Sequence, residues 1–116
     1  MRRRKPAKVV SLNEAGEVKA LCDWLDAKGI GYIPIPNKGR WHAGQDLRRK
    51  GAPDLVLTRT SKGLPVAVEM KRTNASPSDT KAEQLAVHEE MRNGGWVVIV
   101  ARGATDAIER LTGMGF

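Results

Sequence analysis

The sequence has a single cysteine, Cys22, in 116 residues. That excludes an internal disulfide and a cysteine-rich zinc site, and a reducing, cytoplasmic setting is the natural expectation. Long hydrophobic runs are also missing. The longest, Trp96 to Ala101, is six residues, whereas a membrane-spanning helix needs roughly 20, so neither a transmembrane segment nor a membrane partner is expected. The start of the chain, Met1-Arg2-Arg3-Arg4-Lys5-Pro6, is basic, but no apolar stretch follows it, and a secretory signal is not expected. Acid is in short supply: 13 Asp and Glu stand against 20 Lys and Arg, for a net charge of +7 and a pI near 10.0. A small domain this basic commonly meets a polyanion, with nucleic acid the leading candidate; solubility alone is the plainer alternative.

What is present suits one domain. A hydrophobic content of 41% supports a core and argues against wholesale disorder. The positive charge is clustered. Arg2, Arg3, Arg4, Lys5 and Lys8 make residues 1–10 read as a flexible basic arm ahead of a single domain over 11–116. Lys38, Arg40, Arg48, Arg49 and Lys50 fall in a glycine-punctuated connection where Asp46 is the one acid.

Ser11, with Glu14 three residues on, forms a capping box that opens a helix over about 12–28. Val18, Leu21, Cys22, Trp24 and Leu25 follow the helical rhythm, and Gly29 ends it. Residues 31–36 carry two prolines and read as an edge strand. Residues 37–52 read as a loop. Asp54 to Thr58 and Val66 to Lys71 read as two strands of a hairpin. Thr80 with Glu83 caps a helix that runs to Asn93, before Gly94-Gly95. Trp96 to Val100 is a continuous apolar strand suited to burial on both faces, and Thr105 or Asp106 caps a last helix. The order αβββαβα predicts an α/β domain with a mixed central sheet. Its last strand is reached through a helix and so runs parallel to its neighbour.

The chemistry centres on the hairpin. Alternation places Glu69 and Lys71 on one face of their strand, and Asp54 opens the neighbouring strand within reach of that face. Met70 turns the other way, into the core, while its carbonyl stays available as a ligand. Two carboxylates suit a hard divalent ion such as Mg²⁺. That ion can activate water against a phosphodiester, and an adjacent lysine can orient the water. Glu69 and Lys71 could instead be an exposed charge pattern. However, Val66-Ala67-Val68 marks a central strand, where a glutamate needs a partner or an ion.

Pro53-Asp54 followed by Glu69-Met70-Lys71, with fourteen residues between Asp54 and Glu69, resembles the signature of the PD-(D/E)xK nucleases. More of the chain, residues 14 to 112, resembles the VRR-NUC branch of that superfamily. The likeness is carried by Gly51-Ala52-Pro53-Asp54-Leu55, Glu69-Met70-Lys71-Arg72, Ser78, Gln84, Gly95-Trp96-Val97-Val98 and Gly103 to Ile108. The name-giving Val-Arg-Arg triplet is absent as such, and Leu47-Arg48-Arg49 stands in its place.

The resemblance implies a restriction-endonuclease-like core and a DNA endonuclease dependent on Mg²⁺ or Mn²⁺. It implies a structure-selective enzyme acting on branched or Holliday-junction DNA, and a homodimer, since two symmetric cuts need two sites. Asp54, Glu69 and the Met70 carbonyl would hold the ion, together with a glutamate of the first helix. That glutamate would be Glu14, favoured by its spacing to Leu25 and Gly29 unless the capping box takes it, or Glu17. Lys71 would orient or activate the water, and Gln84 would hold that water or support Lys71.

Lys38, Arg40, Arg48, Arg49 and Lys50 are the candidate nucleic-acid contacts. Trp41 would either stack on a base or anchor its loop. His42 and His88 have no ligand partner at metal spacing; His88 reads as an exposed helical histidine that could line the site. Cys22, Trp24 and Trp96 read as core. Two other readings stay open: a nucleic-acid-binding module that keeps the fold without cutting, and a nuclease acting on another nucleic acid, such as RNA.

Overall fold

The computed structural model describes residues 13–36 and 50–116, and between them the backbone of 41–42 and 45–46. The arm of residues 1–10, Ser11, Lys38, Arg40, Arg48 and Arg49, and the side chains of Trp41 and His42, lie outside the described residues.

The first helix, α1, spans Glu14–Lys28. Its cap is Asn13, whose side chain accepts a hydrogen bond from Gly16 N at 2.8 Å. The helix therefore begins two residues later than a Ser11 cap predicts, and Glu14 stands at its first position, free of capping duty. Glu17, Leu21 and Leu25 recur every four residues on the buried stripe. Gly29 ends the helix in the left-handed conformation (φ 70°), donating to the carbonyls of Asp26 and Leu25.

The strands are β1 (Tyr32–Pro34), β2 (Trp41–His42), β3 (Gln45–Asp46), β4 (Leu55–Leu57), β5 (Val66–Lys71) and β6 (Val97–Arg102). One sheet has the order β1-β4-β5-β6. As expected, β1 lies at an edge, where Pro34 does no harm, β4 and β5 pair antiparallel as a hairpin, and β6 joins β5 in parallel. β2 and β3 form a small antiparallel ribbon inside the segment read as loop. Two residues per strand is shorter than any run that alternation can reveal.

Helix α2 spans Ala82–Asn93 and α3 spans Ala104–Gly113. Both are capped differently from expectation. At α2 the Gln84 side chain accepts from Lys81 N at 3.0 Å, in place of the Thr80–Glu83 box. The Pro77–Asp79 turn occupies the residues before it. At α3 the cap residue is Gly103. Asp106 instead turns back to accept from Arg102 N at 2.8 Å, and a glutamate of α1 serves the helix end, as described below.

The sheet has two different faces. Leu55, Leu57, Val66, Val68, Met70, Ile99 and Ala101 point into the core, against Leu21 and Leu25 of α1 and Ala104, Ala107 and Leu111 of α3. Cys22 and Trp24 pack against this core half-buried, and Trp96, just before β6, is half-buried. The register Glu69↔Val100 and Lys71↔Arg102 puts Glu69 and Lys71 on the opposite face, towards α2. β6 closes the far end of the sheet, yet Val98 and Ile99, on opposite faces, are both buried, because helices cover each side. Among the described residues no helix is long and apolar enough to cross a membrane.

Candidate metal and nucleic-acid site

Three elements converge at the start of the hairpin. Glu14 comes from the first turn of α1, Asp54 from the residue before β4, and Glu69 from the middle of β5. One carboxylate oxygen from each lies within 4.8 Å of the others. Asp54 is pinned across the hairpin, its Oδ2 accepting from Met70 N at 2.6 Å. Met70 itself is fully buried on the core face, as alternation requires.

Glu69 is 1% exposed. Burial, and next the neighbouring Asp54, push its carboxyl up to about 9; Lys71 opposes this and Glu14 adds to it. Its Oε1 is buried without a hydrogen-bond partner among the described residues. Crowding three carboxylates around a buried, unsatisfied oxygen is costly unless a cation compensates. The donor set is all oxygen, which fits a hard divalent ion.

Lys71 is 7% exposed and donates from Nζ to Gln84 Oε1 at 2.7 Å and to the Asp79 carbonyl at 3.4 Å. Gln84 thus caps α2 and holds Lys71 with the same oxygen. A cleft of about 250 Å³ opens over the acids, walled by Lys50, Gly51, Lys81, Glu83 and Gln84. A second, of about 200 Å³, adjoins it through Glu14 and is lined by Lys71, Arg72 and Asp79.

Gly51 sets this geometry. Its φ is +86°, and a Cβ there would lie 2.9 Å from Gln84 N and closer still to the Glu83 carbonyl. The chain leading to Pro53-Asp54 can therefore rest directly on the first turn of α2. Gly51→Ala is expected to destabilise the fold by about 1–3 kcal/mol, read as a lower urea midpoint at unchanged slope. An unchanged midpoint would mean that the contact is dispensable.

A solved structure described as a VRR_NUC domain protein is similar to this chain in fold, with a TM-score of 0.67 and 18% sequence identity, over 89% of this chain and 88% of that one. The chain has the VRR_NUC fold. No family model and no curated protein matches it.

Within the VRR_NUC fold the two glutamates of α1 part company. Glu14 joins Asp54 and Glu69. Glu17, 6% exposed, is turned instead towards the end of β6, where its Oε1 accepts from Ala104 N at 3.4 Å at the start of α3. A carboxylate suits that end, where the helix dipole is positive. Gly103 gives it room, since a Cβ there would sit 3.0 Å from Glu17 Oε1 and 2.6 Å from Thr73 Cγ2.

His88 departs from expectation. It is 1% exposed rather than a surface residue, and its Nε2 lies 3.5 Å from Glu69 Oε1. α2 docks on the sheet through this face, so the residue four after Gln84 is carried inward with it. Burial, then Arg92 and Lys71, lower its pKa.

Of the expected nucleic-acid contacts, Lys50 borders the cleft, while Lys38, Arg40, Arg48 and Arg49 lie outside the described residues. Trp41 is placed by its backbone in β2, opposite Asp46. Lys81 and Arg72 border the two clefts and were not foreseen. Each adjoins a recognisable feature, the α2 cap and the Glu-Met-Lys strand, which was the available signal.

Proposed function

We propose that this chain is an endonuclease that hydrolyses DNA phosphodiester bonds with Mg²⁺ or Mn²⁺, favouring branched DNA. The observation that carries the reading is the meeting of Glu14, Asp54 and Glu69 oxygens within 4.8 Å, beside a lysine held at 2.7 Å by Gln84. Glu14, Asp54, Glu69 and the Met70 carbonyl would hold the ion, which when bound polarises a phosphoryl oxygen and lowers the pKa of water.

Lys71 orients the attacking water and offsets charge that develops on the phosphate. Gln84 acts through Lys71, fixing its ammonium by a single hydrogen bond. The site carboxylates repel phosphate, so positive charge must be supplied around them. Lys50 and Lys81 at the cleft provide it; Lys38, Arg40, Arg48 and Arg49, which precede Lys50 in the sequence, would add to it, and Trp41 would stack on a base. The preference for branched DNA rests on the likeness of the sequence motifs to VRR-NUC domains. Paired cuts across a four-way junction call for a twofold homodimer with one site per subunit.

Replacing Lys50 and Lys81 together by Ala is expected to weaken binding to all DNA sequences alike. The slope of log affinity against log salt should fall by about 2 if each neutralises one phosphate of a duplex. Salt titrations in Ca²⁺, which suppress cutting, read this directly, and an unchanged slope would remove both lysines from the footprint. The activity itself is tested on labelled duplex, flap and four-way DNA and on hairpin RNA, with Mg²⁺, Mn²⁺ or EDTA. Cutting of branched DNA in excess of duplex, abolished by EDTA, is expected. No cutting of any substrate with either ion would overturn the reading, and equal cutting of RNA would overturn its DNA selectivity.

A further inference from the structure

We infer that His88 is a positioning residue for Glu69: its imidazole donates a hydrogen bond to the Glu69 carboxylate and holds it in the orientation that binds the cation. This rests on the cation-site reading above. Both His88 nitrogens and Glu69 Oε1 are buried without hydrogen-bond partners among the described residues. Buried polar atoms in folded proteins are almost always paired. Here two unpaired atoms, His88 Nε2 and Glu69 Oε1, face each other at 3.5 Å, a few tenths beyond a good hydrogen bond. A neutral imidazole carries one N–H donor, and a small rotation of the carboxylate completes the bond.

Two nearby cations make other bonds, and neither is bonded to Glu69 Oε1. Lys71 Nζ serves Gln84 and Asp79, and the Arg92 guanidinium serves the Val98 carbonyl at 2.9 Å. The site requires Glu69 to be ionised while 1% exposed. The oxygen that faces α2 therefore needs a donor from α2, and His88 is the residue in reach. An apolar residue at this position would fill the same space between α2 and the sheet but leave that oxygen unpaired.

Outer partners of this kind typically change metal affinity by 10- to 100-fold when removed. The test is calorimetric titration of Mn²⁺ into the intact protein and into His88→Leu, His88→Asn and His88→Gln, with thermal melts in EDTA as the control for folding. His88→Leu lacks a donor, and His88→Asn has one too short to reach Glu69. Both should bind Mn²⁺ at least about tenfold more weakly while melting within a few degrees of the parent, with cleavage losing kcat rather than gaining KM for DNA. His88→Gln, whose amide reaches about as far as Nε2, should restore most of the affinity.

If His88→Leu does not fold, the contrast between Gln and Asn carries the test. Parental affinity in the Leu and Asn variants, or an equal loss in Gln and Asn, would overturn the positioning role while Glu69→Gln still abolished binding. A parent protein that binds no Mn²⁺ would overturn the cation site and this inference with it.

Discussion

Lys71→Ala is expected to slow phosphodiester cleavage by about a hundredfold or more while leaving the fold and Mn²⁺ affinity largely in place. The ammonium is nearly buried and its position is set by Gln84 at 2.7 Å and the Asp79 carbonyl at 3.4 Å. It is therefore organised before substrate arrives, at no cost in reorganisation during the reaction. Its loss should appear in kcat rather than in KM, since on the proposed reading phosphate binding falls to the lysines at the cleft. Lys71→Arg should rescue poorly, because a planar guanidinium presents a fork where a compact charge is required. Gln84→Ala should show a smaller loss of the same kind, because the lysine survives but is less well held. Full cleavage by the Lys71→Ala protein would reduce this residue to a buried charge.

Glu69→Gln is expected to abolish cleavage and Mn²⁺ binding and, in EDTA, to stabilise the protein at alkaline pH. The carboxyl is pushed from 4.5 up to about 9, chiefly by burial and by Asp54. In that window the folded protein holds a proton that the unfolded chain releases. The corresponding stability is complete below about pH 4.5 and is lost as the pH rises towards 9. Glutamine imitates the protonated form at every pH, so melting midpoints in EDTA should fall more steeply with pH in the parent than in the variant. Mn²⁺ should restore the parent alone. Parallel curves would contradict the assignment of a strained carboxylate at the base of the site.

The acids of the hairpin were legible in the sequence because strand alternation is a strict rule. Once Val66-Ala67-Val68 is read as a buried strand, Glu69 and Lys71 must share a face and Met70 must oppose them. The parallel placement of β6 followed from the helix that precedes it. The helix-one candidate ligand was less legible, since Glu14 and Glu17 lie near one side of α1. Only the docking of α3, whose first amide takes Glu17, separates them. The caps were ambiguous for a related reason: Ser11 and Asn13 are both good capping residues, and Gln84, Glu83 and Thr80 compete within a few positions. His88 shares a face with Gln84, and that much was visible. A helix with three glutamates and one arginine gives no sign, however, that this face is the one pressed against the sheet. The β2–β3 ribbon lies below the length at which any pattern shows.

Calorimetric titration of Mn²⁺ into the parent chain and into Asp54→Ala tests the central claim most directly. Asp54 is half-buried and accepts from Met70 N at 2.6 Å, so its removal takes one carboxylate from the cluster of three and one acceptor from Met70 N, and a thermal melt in EDTA accompanies the titration as the control for folding. The account predicts saturable binding to the parent and binding to Asp54→Ala that is weaker by at least about tenfold, as expected when a coordinating carboxylate is lost. Equal affinity in the two proteins would contradict it.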